Sequence, residues 1–207
     1  PGEVGLYLGI TGRQVRAADA LYAGLADWCL PSNLLAEFDQ CLDYLIWSTP
    51  PREALASLVA TLASNKIAGA ELKAFRPAID EYFSLPDMQS IRTALLGETR
   101  PAFQDWAEET VKLIDSRSPL AMSVTLELLR RGRILPLDVC FELELHLDRQ
   151  WFAKGDIIEG VRSLLIDKDK CPRWNPPTLE ATSVEMARAF FADFKPAYNN
   201  GLRTASA

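Results

Sequence analysis

A chain of 207 residues is long enough to bury a substantial core, as one large domain or two small ones. With 48% hydrophobic and 24% charged residues it has the composition of an ordinary globular protein, not that of a disordered or fibrous one. A net charge of -6 argues against a nucleic-acid partner, which would favour a basic face, yet leaves room for an anionic ligand held by a few placed Lys or Arg residues.

Helical signals dominate from the start. Val4, Leu6, Tyr7, Leu8 and Ile10 form a short apolar segment that Gly12 should end, and residues 17–23 form a second short helix ended by Gly24. Leu25 to Leu30 is the one candidate strand, with poor alternation. Ser32 offers an N-cap for a helix through Trp47, with Leu35, Phe38, Leu42 and Leu45 along one face. Thr49-Pro50-Pro51 breaks it, and Pro51 opens a helix through Ala63 in which Leu55, Leu58, Val59 and Leu62 repeat at helical spacing. After a loop over 64–69, further helices are expected over 70–83, 88–96, 101–116, 119–131, 137–152, 157–167 and 183–194. Residues from Tyr198 onward should fray. The expected class is mainly α, with at most one short strand near 25–30. Residues 50–100 are the candidate connection between two packed groups.

Cys29, Cys41, Cys140 and Cys171 are scattered without a C-x-x-C pair, so free thiols are expected and metal-ligand spacing is absent. His146 is the single histidine, which excludes a histidine-rich zinc site and leaves one residue on which a histidine-assisted triad could be built. With Glu142 and Gln150 one helical turn to either side, it reads as a surface or groove histidine. The carboxylate pairs Glu144/Asp148 and Asp105/Glu109 read as solvated faces. No phosphate-cradling glycine loop, no G-x-S-x-G elbow and no stretch of membrane-spanning length is present.

Three constellations stand out. In the first, Leu8-Gly9-Ile10-Thr11-Gly12 precedes Arg16-Ala17-Ala18-Asp19-Ala20 and Gly24-Leu25-Ala26-Asp27, which by itself reads as two glycine-capped helices with Asp19 solvated. In the second, Ser118-Pro119 supplies an N-cap and a first-turn proline, after which Leu120, Val124 and Leu128 lie along one buried face. The third runs from Glu159 to Trp174. Asp156 and Glu159 have capping-box spacing, Ile158, Val161 and Leu165 form a stripe for burial, and Gly160 implies close approach of another backbone. Lys168 and Lys170 end that helix, where cations interact favourably with the helix dipole.

The run Glu159-Gly160-Val161-Arg162-Ser163-Leu164-Leu165-Ile166-Asp167-Lys168-Asp169-Lys170-Cys171-Pro172-Arg173-Trp174 resembles the closing segment of the 3-hydroxyisobutyryl-CoA hydrolases, a branch of the enoyl-CoA hydratase/isomerase (crotonase) superfamily. The Thr-Gly turn at residues 11–12, the acid-alanine helix and the Ser118-Pro119 start are similar to landmarks of the same superfamily. The resemblance runs from Leu8 to about Phe194 and implies the C-terminal helical part of an α/β crotonase-like spiral fold. Residues 1–49 would end the core, 50–117 would be a helical connection, 118–194 would be a lid with CoA-side helices, and 195–207 would be the tail.

The implied whole-protein reaction is hydrolysis of a CoA thioester in valine breakdown, with no cofactor and no metal, CoA being part of the substrate. In that family the oxyanion donors and acidic residues lie upstream of the Thr-Gly turn, so the resemblance assigns no catalytic residue here. It assigns CoA contacts to Lys168, for a phosphate, and to Leu164. The chain departs from the family at two positions, with Leu164 where an aromatic residue is common and Asp167 at the first basic position. Pro1-Gly2-Glu3 at the start suggests a truncated or processed piece. The implied partners are the acyl-CoA substrate, the missing N-terminal half and a possible homo-oligomer, with no nucleic acid and no membrane. The implied location is the cytoplasm, or the mitochondrial matrix if eukaryotic. A hydratase or isomerase acting on another acyl-CoA, and a stand-alone helical interaction module, are the alternatives.

Overall fold

The computed structural model describes residues 1–47, 50–64 and 67–196, which include eleven α-helices and no strand. The expected fraying beyond Tyr198, Thr49 of the helix break and part of the 64–69 loop lie outside the described residues. The first two helices, α1 (Val4–Thr11) and α2 (Ala17–Ala23), end where expected, with Gly12 and Gly24 both left-handed at φ 62° and 77°. Residues 25–30 form no strand; a single antiparallel bridge joins Cys29 to Ser64. Poor alternation gives that stretch no apolar face to bury, and Leu25 is exposed.

The predicted helix from Ser32 to Trp47 is shorter. A 3-10 turn over Ser32–Leu34 leads into α3 (Leu35–Asp43), and the Ser32 side chain caps nothing. Phe38, Leu42 and Leu45 are half-buried, Leu35 is exposed, and α3 packs on α4 (Pro51–Leu62) at the edge of the molecule. Then come α5 (Glu71–Phe83), α6 (Met88–Leu96), α7 (Gln104–Asp115), α8 (Pro119–Gly132), α9 (Leu137–Lys154), α10 (Ile157–Val161) and α11 (Val184–Arg188), the last continued by a 3-10 turn over Ala189–Phe191.

Helix α8 is the spine. Met122 and Leu126 on one face join a core built by α1, α5, α6 and α7 around Tyr7, Phe83, Ile91 and Trp106. On the other face, Leu120 and Val124 pack with Leu143 and Leu147 of α9 and with Phe190 and Phe191, and Leu128 lies against this second cluster. The stripe read from the sequence is therefore buried, and the opposite face of the same helix is buried too. Burying a Leu- or Phe-sized side chain contributes about 1.5–3 kcal/mol, so a helix buried on both sides fixes the relative position of the two clusters.

Asp19 corrects the sequence expectation. It is 8% exposed, not solvated, and its Oδ1 accepts from the Leu72 backbone N–H at 2.9 Å. Ala70 at the start of α5 has no side chain with which to cap, so the orphan donor is met by an acid from another helix. His146 is half-buried as a groove residue, with its Nε2 3.0 Å from the Phe190 carbonyl oxygen. That position ties α9 to the terminal turn.

Candidate functional site

A cleft of about 710 Å³ opens between the end of α1, the start of α8 and the segment from Asp156 to Trp174. Gly9, Ile10, Met122 and Thr125 line one side, and Ile157, Val161, Leu164 and Leu165 line the other. Lys170, Pro172 and Trp174 close an edge, and Arg117 adds a second cation, its Nε donating to the Thr11 carbonyl at 3.1 Å. The cleft is thus mainly apolar with cations along its border, which suits a ligand that is greasy at one end and anionic at the other.

The base of the cleft is a buried polar brace. Ser118 caps α8 by accepting from Ala121 N–H at 3.1 Å, as its sequence context predicts, and donates its hydroxyl to Asp156 Oδ2 at 2.6 Å. Asp156 Oδ1 accepts from Asn175 N–H at 3.1 Å. Both residues are buried, so these bonds tie the N-terminus of α8 to α10 and to the segment beyond it.

The predicted capping box at Asp156 and Glu159 does not form, because both carboxylates are engaged elsewhere. Glu159 grips Arg162 with both oxygens, at 2.7 and 2.8 Å, and accepts from the Arg173 N–H at 2.6 Å. The Arg162 guanidinium, then the Arg173 N–H, hold the Glu159 carboxyl down at about 2. Arg162 also reaches Asp167 and Asp169 at 2.6 and 2.7 Å and the Cys171 carbonyl at 3.2 Å. The helix widens at this point: Asp167 N–H donates to Arg162 C=O, an i→i+5 bond, where an unbroken α-helix was expected. Such π-type turns recur at functional sites.

Lys168 and Lys170 both have left-handed backbones, at φ 55° and 54°. A non-glycine residue there costs roughly 1–2 kcal/mol, so the bonds around Arg162 hold the chain against its own preference. Leu164, a predicted ligand contact, is 61% exposed on the cleft wall. Lys168, the other, is exposed and outside the cleft lining, whereas Lys170 belongs to it.

Two readings of this segment are corrected. Ile158, Val161 and Leu165 are exposed, Leu165 by 62%: Val161 and Leu165 line the open cleft, and in the π-type turn after α10 the buried residue is Ser163. Gly160 meets no backbone; a Cβ there would lie 3.6 Å from the Trp174 ring, an ordinary contact. The sequence alone assigns no role to Arg117 or Arg162. The signal for Arg162 was acids at three, five and seven residues' distance, more than a solvated arginine needs.

A family model described as enoyl-CoA hydratase/isomerase matches residues 1–191. The chain belongs to the enoyl-CoA hydratase/isomerase family. It is 32% identical over 208 residues to the 3-hydroxyisobutyryl-CoA hydrolase, mitochondrial, of Gallus gallus, covering 98% of this chain and 51% of that protein. It is 32% identical over 200 residues to the small ribosomal subunit protein mS47 of Arabidopsis thaliana, covering 92% of this chain and 47% of that protein. The crystal structure of a carnitinyl-CoA dehydratase from Mycobacterium thermoresistibile superposes with a TM-score of 0.78 at 29% identity, over 95% of this chain and 53% of that one.

The chain therefore spans about half the length of the relatives it matches, and corresponds to the C-terminal part of the crotonase architecture. Hydrolase and dehydratase relatives share this helical part, so the fold does not separate their reactions. Among the described residues no cluster of three or more His, Cys, Asp or Glu could hold a metal ion, and no helix is long and apolar enough to cross a membrane.

Proposed function

We propose that this chain is the helical, ligand-covering part of a 3-hydroxyisobutyryl-CoA hydrolase-like enzyme, and that the whole protein cleaves a CoA thioester in valine breakdown. The observation that carries the reading is the mainly apolar cleft walled by the Glu159-to-Trp174 segment, with Leu164 on its wall and cations at its edge. An acyl-pantetheine arm would lie along the apolar wall, and the phosphates would meet Lys170 and Lys168. The oxyanion donors and the carboxylates that handle water would come from the rest of the family fold, since preorganised donors aimed at developing charge must sit at the thioester. No residue of the cleft is given a catalytic role.

The exposed Ile158 of α10, which lies outside the cleft lining, would pack against that other half. The names of several relatives carry the word mitochondrial, which favours the mitochondrial matrix as the location. A second reading has a specific observation behind it. A relative named for a ribosomal subunit matches nearly the whole chain, and exposed Leu137, Phe141, Leu145 and Phe152 line one side of α9, as an interaction module would show. Release of CoA thiol from 3-hydroxyisobutyryl-CoA, measured on this chain and on a protein extended to the length of the hydrolase relatives, tests the first reading. Turnover only by the extended protein supports it. Turnover by neither, or turnover only of an enoyl-CoA by hydration, rejects the hydrolase assignment.

A further inference from the structure

The run Asp167-Lys168-Asp169-Lys170 alternates acid and base, and the structure sorts the two kinds. Both aspartates turn onto the Arg162 guanidinium, at 2.6 and 2.7 Å. Among the described residues neither lysine ammonium makes an ion pair or a hydrogen bond. Left to themselves, adjacent aspartates and lysines would neutralise one another locally. By taking both carboxylates, the arginine leaves two cations free.

The backbone is held in the same way. Bonds to Arg162 flank each left-handed lysine: Asp167 before Lys168, Asp169 between the two, and the Cys171 carbonyl after Lys170. Lys170 N–H donates to the Ser163 carbonyl at 3.0 Å, and Cys171 N–H to Asp169 Oδ1 at 2.9 Å. Glu159 fixes the guanidinium from the opposite side with both oxygens. A lysine could not replace this arginine, because one ammonium lacks the planar fork needed to serve acceptors on several sides.

We propose that Arg162 is the positioning residue of an anion-binding edge, holding the left-handed turn so that Lys168 and Lys170 stand unpaired beside the cleft to receive the phosphate groups of a CoA ligand. This rests on the acyl-CoA reading of the cleft. Arg162 touches no ligand in this scheme; it acts through the two lysines.

The test is titration of the 207-residue chain with CoA, followed by tryptophan fluorescence over a series of KCl concentrations, for four proteins. These are the unsubstituted chain, Arg162→Met, the pair Lys168→Gly with Lys170→Gly, and all three changes together. Glycine tolerates the left-handed backbone, so the pair removes charge without straining the turn. Arg162→Met and the lysine pair should each weaken CoA binding about tenfold, the scale of one lost charge-assisted contact, and each should flatten the salt dependence. The triple variant should bind no more weakly than the lysine pair.

Losses that add in the triple variant, or an Arg162→Met chain that binds CoA like the parent, would overturn the inference. Amide exchange gives a ligand-free readout. In Arg162→Met, protection at Lys170, Cys171 and Arg173 should fall while that of α8 is kept, and unchanged protection at those three amides also overturns the positioning role. Arg162→Lys, which keeps the charge, should behave like Arg162→Met; full retention of binding would count against the geometry. If the parent chain binds no CoA, the same four titrations are made in the protein extended to the length of the hydrolase relatives; if that protein binds no CoA either, the acyl-CoA reading fails on its own account, and the ligand named here falls with it, whatever the exchange experiment shows.

Discussion

Replacing Asp19 by alanine probes how the first two helices are fastened to the rest. Asp19 lies in α2, is almost fully buried, and accepts the Leu72 N–H at 2.9 Å at the start of α5. Alanine removes the acceptor and strands a backbone donor beside buried residues. A hydrogen bond to a charged group contributes about 1.5–3 kcal/mol, and loss of a helix cap about 0.5–2 kcal/mol. Both figures describe the same contact, so about 2 kcal/mol is expected rather than their sum. At this chain length 1 kcal/mol corresponds to roughly 2–4 °C in Tm, so Asp19→Ala should melt about 4–8 °C lower. Asp19→Asn keeps an acceptor oxygen and loses only the charge, so its loss should stay within about 1 kcal/mol. Urea unfolding followed by circular dichroism gives the free energies, and amide exchange at Leu72 gives the local effect. An Asp19→Ala chain within about 0.5 kcal/mol of the parent, with Leu72 still protected, would refute the capping role.

Ser118→Ala should cost about 1–3 kcal/mol in the same assay, since it removes the α8 cap and leaves Asp156 Oδ2 without its hydroxyl donor. Gly160→Ala should be neutral or stabilise by up to about 1 kcal/mol, because the added methyl meets only the Trp174 ring at 3.6 Å and alanine favours the helix; a clear loss would restore the idea that a neighbour must approach closely there. Glu98 is buried, accepts the Tyr82 hydroxyl at 2.6 Å, and is held down to about 2, chiefly by Arg100. Its folded value lies below its unfolded one, so its contribution is complete above about pH 4.5 and is lost as pH falls towards about 2. Thermal melts from pH 6 to pH 2 should therefore fall less steeply in Glu98→Gln than in the parent over that window, and parallel curves would contradict the assignment.

Much of the fold was legible because local rules and tertiary packing agree along most of the chain. Residues 17–23 and 88–96 form helices within the bounds that periodicity and end signals set. Position 118 reads correctly for the same reason: the sequence context of a serine before a proline and the need of α8 for a cap point to one geometry. Long-range partners were not legible. Asp19 lies 53 residues from the N–H it caps, and nothing near it in sequence announces a buried acid. Asp156 spends its two oxygens on residues 38 and 19 positions away, which removes it from the capping box that its spacing suggested.

The most informative disagreement is the apolar stripe that runs along α10 and the π-type turn after it. Helical spacing at Ile158, Val161 and Leu165 calls for a neighbour, yet all three are exposed, along with Leu164 and Ile166. Fully burying one such side chain contributes about 1.5–3 kcal/mol, so a stripe of this size is ordinarily covered by a partner or a ligand. Its two ends differ. Leu164 and Leu165 line the cleft beside Lys170, where a ligand has both an apolar wall and a cation within reach. Ile158 is exposed and lies outside the cleft lining. Under the proposed function these are two different partners, the acyl-CoA on one side and the remainder of the enzyme on the other. Polar substitution should separate them: Leu164→Ser should weaken CoA binding by the chain itself, whereas Ile158→Ser should leave that binding intact and lower the melting temperature only in the extended protein. Equal effects of both changes on CoA binding would mean that the stripe is one surface with one occupant.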